Sequence, residues 1–317
     1  MSDRDIGVVY AEYSGLKAGT SIASLWSYHT LTRDPGRRDI TLHADGREEY
    51  WLDRSDPLLN TILPGTHVSI VINGGDGWAA GRTLATSALL PRACVVGPVT
   101  RSCILHVGKS VRAVGAVISP VFAFDVLGVP AAELVDRIVP LEDVWQPNEV
   151  ERMLHFHARH EPPAAISALR DEVTARMCGR RVGPVGRSCP QLITTQGGRV
   201  SVDAMSARYG VSRRQFGREF SEATGLPPKL YARISRFQSL VHALLSTDVS
   251  RWASVSVSAG FYDQAHMINE FRAFAGSAPT TFFRPHGIEL DAAVTRLRGR
   301  PSEWPERREP PPPTPDR

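Results

Sequence analysis

Long apolar runs are missing from this 317-residue sequence. No stretch approaches the roughly 20 consecutive apolar residues that span a bilayer. The opening "MSDRDIGVVYAEYSG" carries acids where a secretory signal would be apolar. The expectation is a cytoplasmic protein with no membrane partner. Cysteine is scarce as well: Cys94, Cys103, Cys178 and Cys189 are scattered, without a Cys-x-x-Cys pair. Their spacing excludes the usual structural zinc patterns and a disulfide scaffold, so they read as reduced thiols. No Walker-type phosphate loop and no nucleophile elbow is present, and no carboxylate stands at a useful catalytic spacing. The densest histidine cluster, "HFHARH", holds His155, His157 and His160 at helical positions from which all three do not converge on one metal. His67 in "PGTHVSIVI" reads as a strand residue. The expectation is therefore no metal, no cofactor, no catalytic residue and no enzyme.

What is present divides unevenly along the chain. Hydrophobic residues make up 42% and charged residues 22%, ordinary for a globular protein long enough for two cores. The net charge of +4 hides an asymmetry, because residues 197–300 carry 14 Lys and Arg against 8 Asp and Glu. Residues 1–196 carry 20 against 21. A basic excess confined to one segment suggests a polyanionic partner for that segment.

The fold class read from the pattern is α+β and multidomain. "SIASLWSYHT" (21–30), "TILPGTHVSIVIN" (61–73) and "RACVVGPVTRSCILHVG" (92–108) are rich in β-branched and aromatic residues, as strands are. "NGGDGW" (73–78) reads as a hairpin turn, and from about 121 to 178 the pattern turns helical. The expected division is a β-rich domain with a helical C-terminal part over 1–177, a Gly/Pro/Arg linker over 178–189 and an all-α domain over 190–285. Residues 286–317 follow as a short helix and a disordered, proline-rich tail.

The all-α segment is an internal duplication. Shifting the chain by 51 residues sets Ser212, Phe216, Phe220, Gly225, Pro228 and Tyr231 against Asp263, Met267, Phe271, Gly276, Pro279 and Phe282 without a gap. In the first copy Ser201 caps a short helix, Gly210 ends it, and Ser212 opens a second helix in a Ser-x-x-Gln capping box. A short helix, a glycine turn and a second capped helix make a helix-turn-helix. The second copy uses Gly260 for the turn and Asp263 for the cap, with a turn longer by one residue. Its leading stretch "RWASVSVSAG" alternates like a strand, so a helix there requires tertiary contacts to override local preference. Phe216, Phe220, Met267 and Phe271 form buried stripes.

Between the copies, Leu230, Ile234, Phe237, Val241 and Leu244 are spaced as one stripe of a long helix. About 19 residues at 1.5 Å each give a strut of roughly 28 Å. Successive major-groove faces lie about 34 Å apart. Two reading heads on such a strut can therefore enter adjacent major grooves from one side of double-stranded DNA.

With these residues on the page, the segment "GFYDQAHMINEFRAFAGSAPTTFFR", together with "YGVSRRQFGREFSEATGLPPKLYARISRF", resembles the DNA-binding domain of the AraC/XylS family of bacterial transcription regulators. The resemblance covers about 190–285. It implies a seven-helix domain with two helix-turn-helix units and a recognition helix from each in the major groove. Carried over, the base-reading candidates are Arg213, Arg214 and Arg218 in the first helix and Gln264, His266 and Asn269 in the second, with Arg272 beside them. Gly217 and Asn269 depart from the family's pattern of long polar or arginine readers. The N-terminal region also resembles domains of this family through "ILPGTHVSIVINGGD" and "GAVISPVFAFDVLGVPAAELVDRIVPLEDVW". That implies a small-molecule effector, dimerisation or both, with RNA polymerase as a further partner. The sign of regulation stays open between activator and repressor. Two other readings stand beside this one: a nonspecific architectural DNA-binding protein, and a DNA-binding module fused to an enzymatic N-terminal domain.

Overall fold

A computed structural model of the protein describes residues 6–13, 22–32, 40–42, 47–52, 61–108, 110–177, 182–245 and 252–283. The linker residues 178–181 and the expected C-terminal helix and tail lie outside the described residues. The first half is built from antiparallel strands: β1 (Ile6–Tyr13), β2 (Ile22–Thr32), β3 (Ile40–Leu42), β4 (Arg47–Leu52), β5 (Thr61–Ile62) and β6 (Val68–Asn73). These are followed by β7 (Ala79–Gly81), β8 (Ala88–Leu89), β9 (Ala93–Val96), β10 (Cys103–His106), β11 (Arg112–Ile118) and β12 (Ile138–Pro140). Eight of them form one sheet in the order β12-β9-β6-β11-β2-β1-β4-β3, and the other four form a second sheet, β5-β10-β7-β8.

Period-2 alternation gives the large sheet two buried faces. Val68, Ile70 and Ile72 of β6, Val95 of β9 and Val114, Ala116 and Ile118 of β11 point to one side. There they meet α1 (Ala123–Leu127), α2 (Ala131–Leu134), α3 (Pro147–Arg159) and α4 (Pro162–Ala175). Val71, Cys94 and Ala113, from the alternate positions, join Trp78 and Val111 in a smaller cluster on the other side. Burial pushes the Cys94 thiol up to about 12, so it is a packing residue and not a nucleophile.

Residues 73–78 are not the expected hairpin. Strand β6 pairs with β9 and β11, whereas β7 pairs with β8 and β10, so this turn carries the chain from one sheet to the other. The reason is local and polar. Asn73 Oδ1 accepts from Gly75 N–H, its Nδ2 donates to the Asp76 carbonyl, and the Asp76 carboxylate accepts from Ser110 N–H. These bonds aim the chain toward residue 110 instead of folding it back on β6.

The second half holds α5 (Pro184–Thr195), α6 (Val202–Arg208), α7 (Arg213–Thr224), α8 (Pro228–Leu245), α9 (Trp252–Ser258), α10 (Gln264–Ala275) and α11 (Pro279–Phe283). Here the expected boundary at 190 needs correction. Helix α5 begins at Pro184, inside the segment 178–189 expected to be linker, and its Val185, Cys189 and Ile193 are buried in the helical core. Glycine and proline hid an i, i+4, i+8 apolar stripe; Pro184 opens the helix at the one turn where a missing N–H is harmless, and Pro190 is carried inside it.

Helix α9 is the tertiary override anticipated for "RWASVSVSAG". Trp252, Val255 and Ser256 are buried, Trp252 Nε1–H donates to the Leu244 carbonyl at 3.1 Å, and its ring meets Phe283 edge-on. Packing of this kind outweighs a propensity difference of a few tenths of a kcal/mol per residue.

The two halves touch where Leu63 and Val135 pack against the helical core, and also at the far ends of two helices. Gly225, just beyond α7, has φ +78° and lies so close to Ala131 of α2 that a Cβ would stand 2.8 Å from its carbonyl carbon. Ser102 N–H donates to the Phe274 carbonyl near the end of α10 at 3.0 Å.

Candidate nucleic-acid interface

Each helix-turn-helix is set by a capped entry and a glycine exit. Ser201 Oγ accepts from Ala204 N–H, Ser212 Oγ from Gln215 N–H at 3.2 Å, and Asp263 Oδ1 from His266 N–H at 2.7 Å. Such caps satisfy amide groups that the first helical turn leaves unpaired. Only half of the Ser212 capping box forms, because the Gln215 side chain donates to Glu219 Oε1, one turn onward. Gly210 and Gly260 adopt φ +65° and +81° in the two turns, a region costly for any residue with a Cβ.

Helix α8 holds both second helices by their apolar faces. Near its start, Tyr231 meets Phe220 of α7 edge-on at 5.2 Å, and Phe216 stacks behind Phe220. Two turns later Phe237 packs on Phe271 and Phe274 of α10 at 5.4 and 5.1 Å, with Ile234 and Met267 fully buried alongside. A guanidinium fork adds to this, since Arg233 Nε and Nη2 donate to the two oxygens of Glu270 at 3.0 and 2.8 Å. At 18 residues α8 is about 27 Å long, close to the expected strut.

With these faces buried, the opposite faces of α7 and α10 are left to solvent. Arg213, Arg214 and Arg218 are all exposed on α7, but they are not equivalent. Arg213 forks onto both carboxylate oxygens of Asp203 on α6, across the turn. Arg218 approaches Glu222 one turn away at 3.8 Å. Among the described residues, Arg214 is the arginine of the three without a partner. On α10, Gln264, His266, Asn269 and Arg272 are exposed together. His266 Nδ1 accepts from Tyr262 N–H at 3.4 Å while its ring meets Phe261 edge-on. The imidazole is thus held in the turn with Nε2 as its donor. Arg272 Nη1 reaches Asn269 Oδ1 only at 3.5 Å.

Two features of this surface escaped the sequence reading. Tyr262, 90% exposed in the second turn, stands beside His266 as an aromatic platform. Asp203 competes for Arg213. An acid ten residues before an arginine, with a helix-turn between them, was the available signal for it.

Two capped helices, each with a buried aromatic stripe and an exposed polar strip, are borne on one strut: the second half is a DNA-binding double helix-turn-helix domain. Residues 205–285 match the family model described as a helix-turn-helix domain. That match falls within the segment whose sequence resembles the DNA-binding domain of the AraC/XylS family. Among solved structures, ToxT from Vibrio cholerae is similar to this chain at 9% identity and a TM-score of 0.41, over 71% of this chain and 92% of its own. The C-terminal domain of AraT, a response regulator from Geobacillus stearothermophilus, is similar at 16% identity and a TM-score of 0.30, over 39% of this chain and 96% of its own. No curated protein matches the chain. Among the described residues, no helix is long and apolar enough to cross a membrane.

Proposed function

We propose that this chain is a sequence-specific transcriptional regulator that reads an asymmetric, bipartite DNA site. The observation that carries the proposal is the pair of exposed polar strips held by one helix of about 27 Å. Arg214 and Arg218 read the first half-site, where an arginine fork suits guanine N7 and O6. Gln264 and Asn269 read the second, where a side-chain amide suits adenine. Arg213, Arg272 and the amides at the helix starts fall to phosphate and hold the register. The β-rich half controls occupancy through a small molecule or through a second copy of the chain, and it touches the far ends of both recognition helices.

Selection of bound DNA from a random library with the full chain tests this directly. The expected product is a two-part motif with centres about 10 base pairs apart. Arg214→Ala should cost about 1–3 kcal/mol and relax the preference at one base pair. Uniform weakening on every sequence would replace this function with architectural binding.

A further inference from the structure

The strut α8 is not the only tie between the two reading heads, α6–α7 and α9–α10. The loop 196–200, which leads from α5 into the first head, also touches the second. Gly197 and Gly198 adopt φ +58° and +71° there, and Gly198 lies against the backbone of α8. A Cβ on Gly198 would stand 2.0 Å from the Ala232 carbonyl oxygen and 2.7 Å from Arg236 N. Only glycine fits so close an approach.

The next residue, Arg199, reaches the second head. Its Nη1 donates at 2.9 Å to the carbonyl of Ser258, the last residue of α9 and 59 residues away in the chain. Its Cγ and Cδ lie on Gly260 in the second turn, where a Cβ would come within 2.8 and 2.6 Å of them. Arg236 of α8 reinforces the joint. It donates through Nη2 to the Gly198 carbonyl at 3.1 Å, and its guanidinium carbon lies 5.9 Å from the centre of the Phe261 ring. Phe261 in turn meets the His266 ring edge-on, at the start of the second recognition helix. Two arginines thus join the entry to the first head, the strut and the turn before α10.

Apolar faces attach α7 and α10 to the strut, but apolar contact has no direction. By itself it lets a head roll through small angles. Hydrogen bonds are directional, and Arg199 makes one from head to head. Small angles matter at this distance. Over the 18 residues of α8, about 27 Å, a change of about 7° displaces one head by about 3.4 Å, one base step.

We propose that Arg199 is a positioning residue that latches the second turn to the entry of the first head. The latch fixes the angle between the heads and so the half-site spacing this chain accepts. The consequence for spacing rests on the double-reading function proposed above. The latch itself does not.

The latch is tested without DNA, by pulsed electron spin resonance on the full chain. Spin labels are carried by ketone side chains in place of the exposed Arg214 and Ala265, which spares the native cysteines. The chain with native Arg199 should give one narrow distance, and Arg199→Ala a broadened or displaced one. Arg199→Lys keeps the stem and a donor and should restore the narrow distance. Spacing is tested on the DNA site selected by the full chain, with one base pair inserted or removed between the half-sites. The unsubstituted chain should lose about tenfold or more on each altered site, as a head moved off its bases does. Arg199→Ala should bind the three spacings nearly equally, and Arg199→Lys should recover the preference. Equal weakening at every spacing, as from a lost phosphate contact or a less stable fold, would overturn the assignment. An unchanged distance distribution would overturn it too. If no motif is selected, the double-reading function falls while the label distances still decide the latch. If the distances do not change and a motif is in hand, the latch falls alone.

Discussion

At the scale of the residue, the surface arginines matter through what already holds them. The Arg213–Asp203 fork is exposed on both sides, so its contribution to folding is small. It does set the field at the start of the first recognition helix. Asp203→Asn should release Arg213 toward phosphate, tightening DNA binding on all sequences and steepening the salt dependence by about one ion. Binding measured across a salt series checks this, and an unchanged slope would show that Arg213 does not reach the backbone. His157 makes a different prediction. Burial, with the Arg112 charge nearby, holds its folded pKa below the unfolded value of 6.5, so the unfolded chain takes up the proton first. The His157 contribution should leave stability unchanged above that pH. It should lower stability as pH falls from the unfolded pKa toward the folded one, and level off below both. Chemical denaturation of the native chain and of His157→Gln across this range should show the decline reduced in the variant. Glu149, Glu172, Arg152 and Arg112 face the same region, and the comparison with the variant separates their titration from that of His157.

At the scale of the element, the duplication explains why so much was readable. Caps, glycine exits and the aromatic stripe are local features, and each recurs after 51 residues. The Asp263 cap is the tighter of the two recognition-helix caps, at 2.7 Å against 3.2 Å for Ser212. Asp263→Ala should cost about 1 kcal/mol, measured by denaturant unfolding. It should also weaken selection at the second half-site more than at the first. Helix α5 was missed for the opposite reason: two prolines and two glycines in twelve or so residues look like a linker until Val185, Cys189 and Ile193 are seen to share one buried face. Residues 73–78 misled in the same way. A glycine-rich turn is legible, but which strand follows beside it depends on Asp76 meeting Ser110, a contact 34 residues away.

At the scale of the whole molecule, the two halves meet through Leu63 and Val135, whose side chains pack against the helical core, and through close backbone contacts. Ala131 lies against Gly225, and Ser102 N–H reaches Phe274. Ala131→Glu would place an unpaired charge at this joint. The native chain should unfold in one transition and the variant in two, followed by tryptophan fluorescence and by limited proteolysis in parallel. A single unchanged transition would mean that the joint does not couple the halves.

Taken alone, the sequence determined the kind of DNA-binding domain, its two turns, its caps and the helix that joins them. These depend on spacing within a few turns of helix, where side-chain direction follows from residue number. It also determined the α+β class, because β-branched alternation and helical periodicity differ in period. Only the tertiary structure decided which strands pair, where the helical half begins, which acids hold Arg213 and Arg218 on α7 and how His157 is oriented. Each of these depends on a contact between residues far apart in the chain, such as Arg112 with His157 or Ser110 with Asp76. Periodicity carries no information about such partners, and closing the chain around them is what places them together.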